Sequence, residues 1–204
     1  MIRLHTHPFS TFARRVKIAL LEKNIPHEEV LVDLAGRQQR TPAYLALNPY
    51  SRVPTLEEDG FVLYESSAIL MYLEDEHPEP ALIPGDARGR AHVDMHLRLC
   101  DAQMATPAGV IIFQKRFFPE AKWNLEAIKK ASADIAKHLT ILDKQLDGVD
   151  YLVHDRYTLA DIAYIPFLQF LPIMVEPAQV PGNVAAWSAR LLARPSSLET
   201  VPAK

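Results

Sequence analysis

The sequence predicts an α/β domain followed by an all-α domain. Three observations carry that reading. Strand-like and helix-like patterns alternate as far as about residue 77. An Asp59-Gly60 pair separates two short strand patterns, which is a strong hairpin signal. Beyond a turn-rich stretch from His77-Pro78 to Gly85-Asp86, strand signals largely vanish.

Residues 2–5 read as a strand and His7–Ser10 as a loop, because Pro8 biases His7 towards extended backbone. From Thr11 to Lys23 the period is helical. Phe12, Val16, Ala19 and Leu20 share one face, while Arg14, Arg15, Lys17, Glu22 and Lys23 lie mostly elsewhere. Asn24-Ile25-Pro26 stops this helix, and residues 29–33 read as the second strand. Residues 41–47 suit a short helix with Pro42 in its first turn. Residues 55–58 and 61–64 form the hairpin, and 66–76 a helix. The order β-α-β-α-β-β-α is then complete, and residues 87–118, 122–147, 158–171 and 183–193 read as helices. The predicted domains are 1–77 and 87–204, joined by a linker over 78–86.

The bulk properties exclude several classes of function. The chain has 204 residues, a net charge of −3 and 49% hydrophobic residues. That is enough for a substantial core, with no basic stripe to serve nucleic acid. One cysteine, Cys100, allows no intrachain disulfide. No run reaches the roughly 18 apolar residues of a membrane span, and no signal core opens the chain. A cytoplasmic protein binding neither nucleic acid nor membrane is expected.

His92, His96 and Cys100 fall at i, i+4 and i+8, but eight helical residues span about 12 Å. They cannot share one ion, so surface or interface histidines, a small buried thiol and no metal are expected. At Thr158-Leu-Ala-Asp161, the threonine oxygen and the aspartate can each cap the other's backbone N–H.

The element order, Val53-Pro54 before a hairpin, Glu65-Ser66 opening a helix and Thr158-x-x-Asp161 together resemble a cytosolic glutathione S-transferase. Such proteins have a thioredoxin-like N-terminal domain and a C-terminal helical bundle. The resemblance spans the whole chain and is densest over residues 5–76. His7-Pro8-Phe9-Ser10-Thr11-Phe12-Ala13-Arg14-Arg15-Val16 is similar to the serine-type members, especially the phi class of plants and its bacterial relatives. No cysteine precedes Cys100, and His5-Thr6 stands where other classes carry a catalytic tyrosine.

The resemblance implies glutathione as co-substrate and gives these residues roles. If the Val53–Pro54 bond is cis, as the family implies, Val53 presents backbone groups to the extended tripeptide as an added strand would. Ser66 would cap its helix, whose free N–H groups attract the γ-glutamyl carboxylate. Glu65 would face the ligand's ammonium group, and Ser67 leaves the cap ambiguous by one residue. Ser10 is the residue expected to donate to the thiolate, with Thr11 the runner-up. A hydroxyl there, aided by a helix N-terminus, lowers the sulfur's pKa without losing its own proton. Ser10 or Thr11 as a plain cap is the structural alternative.

Gln39 and Arg40 stand where the phi pattern has a His-Lys pair for the glycine end, and Arg52 replaces a frequent glutamine. Phe9, Phe12, Met104, Phe113, Phe117 and Trp123 are candidates for an apolar electrophile pocket. Tyr50 is a candidate aromatic contact of a homodimer. The expected activity is conjugation of glutathione to a small hydrophobic electrophile, a detoxification chemistry. A glutathione peroxidase, or a non-catalytic binding module of the same fold, is the alternative.

Overall fold

The computed structural model describes residues 1–202, and the chain packs as two units. The first contains β1 (Ile2–Thr6), α1 (Thr11–Glu22), β2 (His27–Leu31), α2 (Pro42–Leu47), β3 (Thr55–Glu58), β4 (Phe61–Tyr64) and α3 (Ser66–Glu76). Its sheet runs β2-β1-β3-β4. β1 is parallel to β2 and antiparallel to β3, and β3 is antiparallel to β4. The β3–β4 turn has positive φ at both Asp59 (48°) and Gly60 (89°), the requirement of the tight turns that match strand twist. One core cluster joins Ile2 and Leu4 of β1, Val16 and Leu20 of α1, Leu56 of β3, and Ile69 and Leu73 of α3. Period-2 and period-3.6 patterns therefore meet on one apolar layer.

Two boundaries differ from the sequence reading. β2 begins at His27 and ends at Leu31, two residues earlier than the hydrophobic run suggests. It is an edge strand paired residue for residue with β1 (Ile2 with His27, Thr6 with Leu31), so its partner sets its limits. The expected 1–77 and 87–204 division also changes. The first unit runs to Leu82 and takes back the segment from Pro195, which includes a short helix, Pro195–Glu199. Arg14 Nε donates to Thr200 O at 2.6 Å, and Ser196 Oγ donates to Glu22. These bonds tie that segment to α1.

Three cations of α1 and its C-cap are the main departure. Arg14, Arg15 and Lys23, placed mostly off the apolar face, are 2%, 1% and 4% exposed, whereas Phe12 is 37% exposed. Lys23 Nζ meets Glu74 at 2.6 Å and donates to His77 O and Pro80 O. Periodicity missed this because each long polar side chain ends on acceptors from distant residues.

The second unit spans Ile83–Arg194 and is helical: α4 (Ala87–Leu99), α5 (Thr106–Phe117), α6 (Leu125–Gln145), α7 (Leu159–Leu168), α8 (Leu171–Met174) and α9 (Gly182–Leu192). The predicted 87–118 helix is interrupted by a π-helical turn over Cys100–Ala105. Thr106 N bonds Asp101 O, five residues back, just before Pro107, which has no N–H to continue the ladder. Among the described residues, no helix is long and apolar enough to cross a membrane.

Thr158 and Asp161 form a full capping box at α7. Asp161 is fully buried. It accepts from Thr158 N (2.9 Å), Thr158 Oγ1 (3.2 Å), Leu152 N (3.2 Å) and Trp187 Nε1 (2.9 Å). Burial pushes its carboxyl up to about 6, and these donors pull it back. Asp161→Ala removes a cap and strands the buried indole N–H. It is expected to cost about 3 kcal/mol with turnover per folded molecule unchanged. Unfolding in urea checks this, and an unchanged midpoint would contradict it.

His96 and His138 are buried in this unit, and burial lowers both imidazoles to about 4. His138 Nε2 bonds Tyr164 Oη at 3.0 Å. In the unfolded chain each takes up its proton near the ordinary value of 6.5. As pH falls from 6.5 towards 4 the unfolded state binds more protons, and stability is lost. Asp161, with its raised value, opposes this over part of the window, but two histidines outweigh one carboxyl. The melting temperature is therefore expected to fall between pH 6.5 and 4, and to fall less in His138→Gln, which keeps a hydrogen-bonding amide but does not titrate. Equal slopes in the two proteins would contradict the assignment.

Candidate functional site

The sheet register gathers most of the candidate ligand-binding residues at one edge of the first unit. His5 pairs with Thr55, and Thr55 with Tyr64, so the end of β1, the start of β3 and the end of β4 form one row. β2 also ends there, since Thr6 pairs with Leu31. Four segments emerge from this edge. They carry Ser10 after β1, Gln39 and Arg40 after β2, Val53 before β3, and Glu65 and Ser66 after β4.

Ser10 is the N-cap of α1 (φ −80°, ψ 111°), and Thr11 is the first helical residue. Ser10 Oγ accepts from Ala13 N at 3.2 Å, and Ser10 N donates to His7 O at 2.9 Å. The structural role is thus present. Because the hydroxyl acts there as acceptor, its proton is left to donate. Ser10 therefore presents an O–H at the positive end of a twelve-residue helix.

The Val53–Pro54 peptide is cis, and Val53 lies outside the ladder that begins at Thr55. Its loop is pinned from below. Arg52 O accepts from Tyr44 Oη (2.7 Å) and Asn48 Nδ2 (3.0 Å), and both groups also reach Thr55 Oγ1 at 3.1 Å. Asn48 and Thr55 are buried polar residues that the sequence reading did not single out. Asn48, directly after α2 and before Pro49, was the available clue. Tyr50 from the same loop is 64% exposed, with its ring 5.7 Å from that of Tyr64.

At α3 the expected cap is corrected. Glu65, exposed and at φ 70°, is the N-cap, and its side chain makes no capping bond. Ser66 is the first helical residue and is buried. Its hydroxyl is engaged by Arg15, whose Nε lies at 2.9 Å and Nη2 at 2.6 Å. Arg15 Nη2 also reaches Ser67 Oγ at 3.0 Å. The N-terminal N–H groups of α3 therefore receive no capping side chain from Glu65, beside a buried guanidinium.

Gln39 and Arg40 lie in a 3-10 turn, Gln38–Arg40. Gln39 Nε2 points to Leu34 O at 3.5 Å, and its buried Oε1 finds no partner among the described residues. A free acceptor does not suit a carboxylate, so exposed Arg40 is the better match for an anionic ligand end.

The apolar candidates divide. Phe9 and Phe12 of the first unit are 41% and 37% exposed. In the second unit Phe113 and Phe117 are exposed, and the Phe113 ring lies tilted against Phe117 and edge-on to Phe118, with centroids 5.3 and 5.5 Å away. Trp123 is partly buried and donates to Phe118 O at 3.0 Å. Met104 is fully buried and belongs to the helical core, not to a pocket wall. It lies in the π turn over Cys100–Ala105, where it is buried with Cys100 and Ala105. His96, expected at a surface or interface, is likewise buried within the chain, whereas His92 is exposed. Cys100 is buried, its Sγ 3.3 Å from Ala163 O. Among the described residues no group of three His, Cys, Asp or Glu could hold a metal.

A mixed four-stranded layer with loops converging on one edge, followed in sequence by a helical unit, defines the thioredoxin-like two-domain class. Residues 4–81 match the glutathione S-transferase N-terminal domain, and residues 104–195 match the C-terminal domain. Glutathione S-transferase PARB of Nicotiana tabacum is 30% identical over 201 residues, covering 96% of this chain and 94% of that protein. Glutathione transferase F7 from Populus trichocarpa is a solved structure similar at a TM-score of 0.89 and 29% identity, covering 98% and 97% of the two chains. A Burkholderia graminis glutathione transferase, solved with two glutathione molecules bound per subunit, matches at 0.88 and 27%, covering 98% and 87%. The chain belongs to the glutathione S-transferase family.

Proposed function

We propose that this protein is a serine-type glutathione transferase that conjugates glutathione to a small hydrophobic electrophile. The supporting observation is Ser10, an N-cap whose hydroxyl accepts from Ala13 N and so keeps its proton to give. Bound glutathione presents its sulfur to this O–H at the N-terminus of α1. Hydrogen bond and helix dipole both favour thiolate over thiol, which raises the nucleophile's population near neutral pH. The thiolate attacks the electrophilic carbon, a C–S bond forms, and the leaving group departs with its electron pair. The proton released on ionisation goes to solvent.

The tripeptide is held by one contact class at each end. Val53 offers backbone groups to the cysteinyl segment, in the manner of an added strand. Ser66 and the α3 N-terminus take the γ-glutamyl carboxylate, while Glu65 takes the ammonium group. Arg40, with Gln39 beside it, takes the glycine carboxylate. Phe9 and Phe12, partly exposed on either side of Ser10 in the sequence, supply apolar surface for the electrophile. Such conjugation serves detoxification in the cytoplasm, where glutathione is abundant, and the working form is a homodimer with exposed Tyr50 in the contact.

Ser10→Ala is expected to lower kcat/KM more than tenfold, about 1.4 kcal/mol of transition-state stabilisation, while glutathione still binds. Steady-state kinetics with an aryl halide checks this, and full activity would refute the role of Ser10. Tyr50→Ala is expected to shift sedimentation from dimer towards monomer. A wild-type protein sedimenting only as monomer would remove the dimer.

A further inference from the structure

Arg15 is the second largest fully buried side chain among the described residues, at 1% exposure. A buried guanidinium is costly unless its donors are satisfied, and here Nε and Nη2 donate to two hydroxyls at the start of α3. Ser66 Oγ receives two of its N–H groups, from Nε and Nη2, and Ser67 Oγ receives one. The exposed Phe12 ring covers the guanidinium, with Cζ 5.0 Å from the ring centroid. A serine hydroxyl has two acceptor lone pairs and one proton. With both lone pairs of Ser66 filled by Arg15, that hydroxyl can only donate outward, and the adjoining cation polarises its O–H.

We propose that Arg15 is a positioning residue for ligand binding, which locks Ser66 as an obligate, polarised donor to the α-carboxylate of the γ-glutamyl group. This rests on the glutathione reading above. Arg15 does not touch the ligand. It sets the direction of the Ser66 proton, and it adds positive potential beside helix N–H groups that already favour an anion. It also braces α1 against α3, so that the helix capped by Ser10 and the helix that takes the carboxylate keep a fixed spacing. The specificity consequence is a requirement for a carboxylate at the amino-acid end of the thiol. A thiol tripeptide with γ-aminobutyrate in place of γ-glutamate lacks that group and gains nothing from Arg15.

Calorimetric titration with glutathione and with this decarboxylated analogue tests the role without relying on turnover. The wild-type protein is expected to prefer glutathione at least tenfold. Arg15→Lys keeps the charge but loses the forked geometry, and it is expected to cut that preference several-fold while affinity for the analogue stays near the wild-type value. In a Ser66→Ala background, Arg15→Lys is expected to change the preference no further. Additive effects of the two substitutions, or an unchanged preference in Arg15→Lys, would overturn the role of Arg15 alone. If Arg15→Lys does not fold, Arg15→Gln and Ser66→Ala carry the same comparison, and an undiminished preference in Ser66→Ala overturns the proposal. Failure of the wild-type protein to bind glutathione would instead overturn the function itself.

Discussion

Three cations of α1 and its C-cap are removed from water in the first unit, and each has to be met by a specific acceptor. Arg15 ends on Ser66 and Ser67, Arg14 on the carbonyl of Thr200, and Lys23 on Glu74 with the carbonyls of His77 and Pro80. Unmet, any one of them would cost several kcal/mol. Met, they lash α1 to the start of α3, to the segment after Pro195 and to the chain leaving α3. Burial pulls the Arg14 guanidinium down to about 10, still charged at neutral pH. The apolar layer supplies most of the driving force, and these polar ends decide which arrangement of helices the layer accepts.

Fixing α1 fixes the chemistry placed at its start. The N-termini of α1 and α3 both follow strands that run the same way, because β4 is antiparallel to β3 and β3 to β1. Two positive helix ends therefore reach the same edge of the sheet. One suits a sulfur anion and the other a carboxylate, and the backbone of Val53 emerges at the same row. In the proposed function, binding and activation of an anionic peptide thiol would use few charged side chains, since helix ends and backbone would carry most of the recognition.

The helical unit meets its own polar demands differently. Asp161 gathers donors from α7, from the loop carrying Leu152 and from Trp187 of α9, so one buried carboxylate organises three segments. The neutral pair of His138 and Tyr164 fills a similar role with a stacked contact, ring centroids 5.8 Å apart. The π turn at Cys100–Ala105 lets a proline sit within a long helical run, and Met104 in that turn is buried.

Local chemistry decided what was legible from the residues. The Asp59-Gly60 hairpin, the Thr158–Asp161 box, the order of elements and the placing of Ser10 before a helix each depend on neighbours a few positions apart. Such features are written in a short window, because caps and turns need particular side chains at particular offsets. The burial of Arg14, Arg15 and Lys23, the role of Ser66 as acceptor, the limits of β2 and the return of the segment from Pro195 were decided by tertiary structure. Each depends on a partner between about 25 and 190 positions away. A charged side chain looks the same in sequence whether its acceptor is water or a distant hydroxyl, and only the folded chain brings that acceptor within reach.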